Sequence, residues 1–208
     1  MYLSILNFLQ EAESLFKDIP DSRRVLLDKI GKYVASKSQA QEKAELIYIC
    51  THNSRRSHFG QIWAKIAARY YGFDNVETYS GGTEATAFNP NAIKAIKALG
   101  FLVGKEDETN NPRYTVMFDN EKETITCFSK KYDDAINPKE GFCAVMTCTE
   151  ADGACPFIPG ASLRVSTPYL DPKASDNTDQ QDAQYAERSK QIAVETLYAF
   201  SVAKKLIS

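Results

Sequence analysis

Two groups of residues carry side chains suited to chemistry on a tetrahedral oxyanion. The first is Cys50-Thr51-His52-Asn53-Ser54-Arg55-Arg56-Ser57, a C-x5-R-S run. A cysteine supplies the nucleophile, and Arg56 supplies a planar fork that grips two oxygens of one anion. Placed between a strand end and a helix start, the run turns its backbone N–H groups inward as an anion cradle, and the helix dipole adds positive charge at the same spot. Those surroundings favour a thiolate at Cys50, and Ser57 or Ser54 is placed to donate a hydroxyl to its sulfur. Thr51, His52, Asn53, Ser54, Arg55 and Arg56 are therefore the expected oxyanion-binding residues. At average composition, five cysteines give about a 3% chance of one such run.

The second group is Cys148 and Cys155, a C-x6-C pair, with Asp171-Pro172 downstream. Spacing alone reads Cys148 as a small buried residue at a strand end and Cys155 as incidental. An Asp-Pro pair is in itself turn punctuation, with Pro172 holding Asp171 extended. No zinc site is expected: C-x6-C lacks the usual short spacing, and the two histidines, His52 and His58, flank the anion loop.

These residues need elements to position them, and the periodicity supplies an α/β order. Residues 2–17 and 21–36 read as two helices forming a hairpin, and 36–43 as a polar connector. The β-branched run 46–49 is typical of a buried parallel strand. A helix is expected over 59–71, a strand over 76–80, and a helix from Asn89-Pro90 to Leu99-Gly100. This βαβα rhythm argues for a parallel sheet flanked by helices with right-handed crossovers. Residues 114–118 and 124–128, around Asp119-Asn120-Glu121-Lys122-Glu123, interrupt it as a β-hairpin insertion at about 111–130. A core strand over 142–147, a Pro- and Gly-rich loop over 148–160 and an amphipathic helix over 182–204 complete the chain. One catalytic domain is expected over 1–208, with 1–44 as an N-terminal helical extension and 45–208 as the core.

With 43% hydrophobic and 25% charged residues, the composition is that of a folded soluble domain. Twenty-five Lys+Arg against 27 Asp+Glu leave a formal charge of −2, so no overall field draws the chain to nucleic acid or to an anionic membrane. No apolar run approaches the roughly 18 residues of a membrane span. Five cysteines are an odd number, and they suit a reducing compartment with reactive thiols better than a disulfide scaffold. With no basic flank at the N-terminus, the cytoplasm is the expected location.

The run from Cys50 to Ser57 resembles the phosphate loop of the low-molecular-weight protein tyrosine phosphatase superfamily. Tyr79-Ser80-Gly81-Gly82-Thr83-Glu84, Asn89-Pro90-Asn91-Ala92 and Cys148-Thr149-Glu150-Ala151-Asp152-Gly153-Ala154-Cys155-Pro156 are similar to the thioredoxin-coupled arsenate reductase branch. The resemblance covers roughly residues 45–205 apart from the insertion. It implies a three-layer sandwich around a central parallel sheet, and reduction of arsenate to arsenite with no cofactor.

In that reaction the resemblance assigns Cys50 as nucleophile, Arg56 as oxyanion clamp and Asp171 as acid, and Ser57, whose hydroxyl can reach the Cys50 sulfur, is counted among the catalytic residues. Cys148 and Cys155 form a relay ending in a disulfide that thioredoxin reduces. A phosphotyrosine or small phosphomonoester phosphatase is the alternative, using the same Cys50, Arg56 and Asp171. A binding or regulatory protein is the third reading, and the intact Cys50, Arg56 and Asp171 set argues against it. Lys173-Ala174 follow Asp171-Pro172 where the phosphatases carry aromatic residues, which favours a small oxyanion, with Tyr169 left as a candidate ring wall. His52 stands where a glycine is common, either tuning Cys50 or solvated. Arg55 adds positive charge at the loop that could strengthen anion attraction, with an exposed arginine the commoner case. Gln61 stands where some reductases carry a carboxylate associated with potassium, so the resemblance does not carry that ion over to this chain. Asn53 is expected to brace the loop, and Cys127 and Cys143 to be packing residues.

Overall fold

A computed structural model describes residues 1–120 and 123–208. In chain order the elements are α1 (Leu3–Ser14), α2 (Asp21–Gln39), β1 (Ala44–Cys50), α3 (Arg56–Tyr71), β2 (Val76–Gly82), α4 (Pro90–Ala98), β3 (Leu102–Lys105), β4 (Tyr114–Met117), β5 (Thr124–Cys127), β6 (Cys143–Met146), α5 (Thr149–Ala154), β7 (Leu163–Ser166) and α6 (Gln181–Ile207). A 3-10 turn over Pro172–Ser175 precedes α6.

Four strands form a parallel sheet in the order β2-β1-β6-β7. Alternation along β1 divides the core: Leu46 and Tyr48 join the cluster under the helices, while Ile47 and Ile49 face the other side. The first face carries α2, α3 and α6; the second is closed by a thinner layer in which Ala151 of α5, Phe142 and Ile158 meet Ile47, Ile49 and Met146. Because β1 lies between β2 and β6, the chain leaves its carboxyl end in one direction and later returns on the other side. That is the switch point at which open α/β sheets place their sites. Cys50 ends β1, Cys148 lies two residues beyond β6, and Asp171 follows β7, so all three reach the same edge of the sheet.

The N-terminal helices are built into this core. Ile5, Leu9 and Ala12 of α1 are fully buried, and Phe8 stacks on Trp63 of α3 with centroids 5.0 Å apart. Burying side chains the size of Ile5 and Leu9 contributes roughly 1.5–3 kcal/mol each. Helix α2 crosses α6 closely at Gly31, where a Cβ would stand 2.6 Å from the Ala199 carbonyl oxygen and 3.0 Å from Val202 Cβ. Gly31→Ala is therefore expected to push the two helices apart and lower unfolding stability by about 1–3 kcal/mol, measured by denaturant titration. A loss within 0.5 kcal/mol or so, the range of an ordinary surface change, would show that the crossing has slack.

Several elements differ from expectation. The hairpin 114–128 is present, Tyr114 pairing with Cys127 and Met117 with Thr124, but β3 adds a third antiparallel strand beside β4. Of the expected turn, Glu121 and Lys122 lie outside the described residues. Strands β3 and β7 are four residues long with at most one buried side chain each, too little for a period-2 signal. Helix α3 starts at Arg56, three residues before the apolar period begins, because its first turn is polar. The expected loop 148–160 contains α5, whose first turn carries Glu150 and Asp152, favourable at a helix N-terminus. Among the described residues, no helix is long and apolar enough to cross a membrane.

Candidate active site

Strand β1 delivers Cys50, 3% exposed, to the start of the loop. The loop is closed from outside by its carbonyls. Thr83 N–H donates to Cys50 O (3.1 Å), Glu84 N–H to Thr51 O (2.8 Å), Ser129 Oγ to His52 O (2.9 Å) and Asn89 N–H to Ser54 O (2.9 Å). Among the described residues, none of the N–H groups from Thr51 to His58 donates to the chain. With the Cys50, Thr51, His52 and Ser54 carbonyls tied outward and α3 lacking a side-chain N-cap, these donors make an anion cradle. Two conformational features permit it. Asn53 takes φ 44°, a left-handed conformation that asparagine tolerates. At Gly82, where β2 ends against the loop, a Cβ would lie 2.7 Å from both Asn53 N and Thr51 O.

Ser57, rather than Ser54, meets the sulfur. Its Oγ is 3.1 Å from Cys50 Sγ and accepts from Asn53 Nδ2 at 2.8 Å, so its hydroxyl is placed to donate to a Cys50 thiolate. Ser54 Oγ donates instead to Ala87 O. Asn53 Oδ1 in turn accepts the Lys130 N–H at 2.8 Å. The exit of β5 thus straps the back of the loop through Ser129 and Lys130, and Asn53 braces it as expected. His52 projects outward, its side chain 47% exposed, with Nε2 3.6 Å from a Glu84 carboxylate oxygen. That is the solvated alternative.

Arg56 opens α3 with its side chain 7% exposed. Nη1 donates to Tyr169 O (2.9 Å) and Nη2 to Asp171 Oδ2 (2.7 Å), while Nε is buried with no partner among the described residues. Asp171 is extended (φ −74°, ψ 122°), as Pro172 requires, and its Oδ1 caps the 3-10 turn by accepting Lys173 N–H at 3.0 Å. Its carboxyl is partly exposed, suited to exchanging a proton with a ligand or with water.

Arg55 departs from the expectation of an exposed arginine. Its side chain is 11% exposed, with Nε donating to Tyr185 Oη at 2.8 Å and the guanidinium 3.9 Å from Asp171 and 3.8 Å from Asp176. Tyr169 also departs, because its ring is buried and its hydroxyl donates to Glu195, so it forms no wall at the mouth. Gln61 is buried and donates to the Thr78 and Thr126 carbonyls.

The second thiol is brought to the loop. Cys148 is fully buried, with Sγ 3.4 Å from Thr51 Oγ1 and accepting the Ala151 N–H as the N-cap of α5. Burial pushes its thiol above the ordinary value, opposed by the bonds from Thr51 and Ala151 and by the charge of Arg56. Cys155, half-buried, lies at the other end of α5, where Arg164 donates to its carbonyl and to Asp152. Seven residues at 1.5 Å each put the two about 10 Å apart along the helix, beyond the roughly 7 Å Cα separation a disulfide allows. Joining them requires α5 to open. Cys127 and Cys143 are fully buried among apolar neighbours, and burial pushes the Cys127 thiol up to about 12 and that of Cys143 up as well. Both are packing residues.

No family model matches the chain. It is 31% identical over 132 residues to an arsenate reductase of Bacillus cereus (strain AH187), covering 64% of this chain and 79% of that protein. It is 29% identical over 139 residues to an arsenate reductase of Halalkalibacterium halodurans, covering 67% and 81%. Among solved structures, a mutant of YwlE from Bacillus subtilis superposes with a TM-score of 0.52 at 14% identity, covering 80% of this chain and 100% of that one. At that identity the likeness is one of fold.

Proposed function

The chain belongs to the arsenate reductase family, and from that premise we propose that it reduces arsenate to arsenite through Cys50, Cys148 and Cys155 in turn. Arsenate sits in the cradle of N–H groups with Arg56 on its oxygens. The Cys50 thiolate attacks arsenic, and the displaced oxygen leaves as water on taking a proton from Asp171. The Cys148 thiolate then attacks Cys50 Sγ. A sulfur–sulfur bond forms, the electron pair of the sulfur–arsenic bond passes to arsenic, and arsenite departs as arsenic(III). Two thiols have given up the two electrons that arsenic gained. Cys155 next attacks Cys148 Sγ, frees the Cys50 thiolate and leaves a Cys148–Cys155 disulfide for an external dithiol protein of the thioredoxin type, in a reducing compartment such as the cytoplasm.

The observation that carries this reading is the position of the Cys148 sulfur, 3.4 Å from the hydroxyl of the residue next to Cys50. Phosphoester hydrolysis has no use for a second thiol there. Lys173 and Ala174 after the acid and the inward turn of the Tyr169 ring offer an aryl group no wall, which further disfavours the phosphatase.

The test is a single turnover of the fully reduced protein with arsenate, followed by disulfide mapping by mass spectrometry. One Cys148–Cys155 bond per arsenite is expected. Because attack requires the Cys148 thiolate and burial raises that thiol above its ordinary value, arsenite release should climb with pH above neutrality, by up to about tenfold per unit while the thiol stays mostly protonated. A flat profile, or arsenite formed with all three thiols still reduced, would sink the relay.

A further inference from the structure

Residues 1–44 lie outside the resemblance, yet one side chain from them reaches the segment that carries Asp171. Arg23, in the first turn of α2, donates through Nη2 to Pro168 O (3.0 Å) and through Nε to Glu195 Oε2 of α6 (2.8 Å). Its guanidinium lies over the Tyr169 ring, 4.8 Å from the centroid. The Tyr169 hydroxyl donates to the same Glu195 oxygen (2.8 Å), and the Tyr169 carbonyl accepts from Arg56 Nη1 (2.9 Å). The network is secluded, with the Arg23 and Glu195 side chains 15% and 7% exposed. A planar fork, a carboxylate and a phenol held together out of water are stiff, since each satisfies a charge or dipole its partner would otherwise leave uncompensated.

We propose that Arg23 is a positioning residue for the acid: it fixes Pro168 and Tyr169, and so sets where the Asp171 carboxyl stands relative to Arg56 and the nucleophile. Held by Arg23 at Pro168 and by Arg56 at Tyr169 and Asp171, the segment has little freedom to swing. The N-terminal extension thereby becomes part of the catalytic apparatus without touching substrate. This rests on the reading of Asp171 as the acid of the first step.

The test is a double-mutant cycle on the rate at which arsenate consumes the Cys50 thiol in a single turnover. Arg23→Met removes the fork, and a displacement of the acid of about an ångström should lower the saturated rate about tenfold, with half-saturation by arsenate changed less than about twofold. In an Asp171→Asn background the same substitution should change the rate less than twofold or so, because no acid is left to misplace. Arg23→Lys keeps a charge beside Glu195 but loses the Pro168 bond. It should show a smaller loss, again absent on Asp171→Asn, and it carries the test should Arg23→Met fail to fold. Equal losses in both backgrounds would assign Arg23 a general stabilising role and overturn the proposal, as would no loss in either. If Asp171→Asn alone leaves the rate unchanged, the acid assignment itself falls, and that result is distinct from an acid that matters but is insensitive to Arg23.

Discussion

Replacing Cys148 with serine should lower multiple-turnover arsenate reduction at least about a thousandfold while Cys50 still reacts once with arsenate. Serine keeps the hydrogen-bonding geometry, accepting from Ala151 N–H as the cap of α5 and facing Thr51 Oγ1, so the fold should survive a buried substitution of about 1–2 kcal/mol. A hydroxyl, however, is no nucleophile toward sulfur at neutral pH, so the sulfur–arsenic bond has nothing to break it reductively. The expected product is one covalent arsenic adduct per chain, seen as an intact-mass shift on Cys50, with arsenite release lost. Turnover within tenfold of the unaltered protein would mean that an external thiol attacks Cys50 directly, and Cys148 would return to the status of a buried small residue.

Arg56→Lys should be nearly as damaging, lowering kcat/KM by about 10²–10³. The arginine does three things at once: Nη1 holds the Tyr169 carbonyl, Nη2 holds Asp171, and Nε remains as a buried donor. A lysine ammonium is a point charge that can reach one of those positions but not all three in one plane. Both oxyanion binding and placement of the acid segment should suffer, so KM should rise and kcat should fall together. Steady-state kinetics with a coupled thioredoxin system would read this. A loss under about threefold would show that charge alone suffices and that the fork is incidental.

The loop was legible because its chemistry is local: a cysteine, an arginine six positions on and a serine, between the apolar run of β1 and the periodic face of α3 that buries Ile62, Trp63 and Ile66. Asp171 and the C-x6-C pair were legible only through resemblance, since an Asp-Pro dipeptide and a spacing of seven are ordinary in themselves. What the sequence did not disclose is pairing at long range. Arg55 meets Tyr185 across 130 positions and Arg23 meets Glu195 across 172, and no local period encodes either contact. Arg55 reads locally as a loop charge and nothing in the local pattern singles out Arg23. Strands β3 and β7 were missed for a related reason. Each is four residues long and defined by the neighbour it pairs with, Leu102 with Met117 and Leu163 with Cys143.

The thiol proposed to attack in the relay, Cys148, is also the cap that begins α5. A helix of six residues is marginal by itself, because the nucleating turn is unfavourable and few bonds follow to offset it. Once the Cys148 sulfur is drawn into a bond with Cys50, the cap accepting from Ala151 is weakened, leaving Arg164 on Asp152 and the Cys155 carbonyl as the principal restraint at the far end. A free peptide helix relaxes in about a microsecond or less, but α5 is packed, with Ala151 fully buried in the second core cluster. In the proposed relay the opening that brings Cys155 to Cys148 must therefore also lift Ala151 from its place beside Ile47, Ile49 and Met146, and the loosened cap is what lowers the cost of that local unfolding.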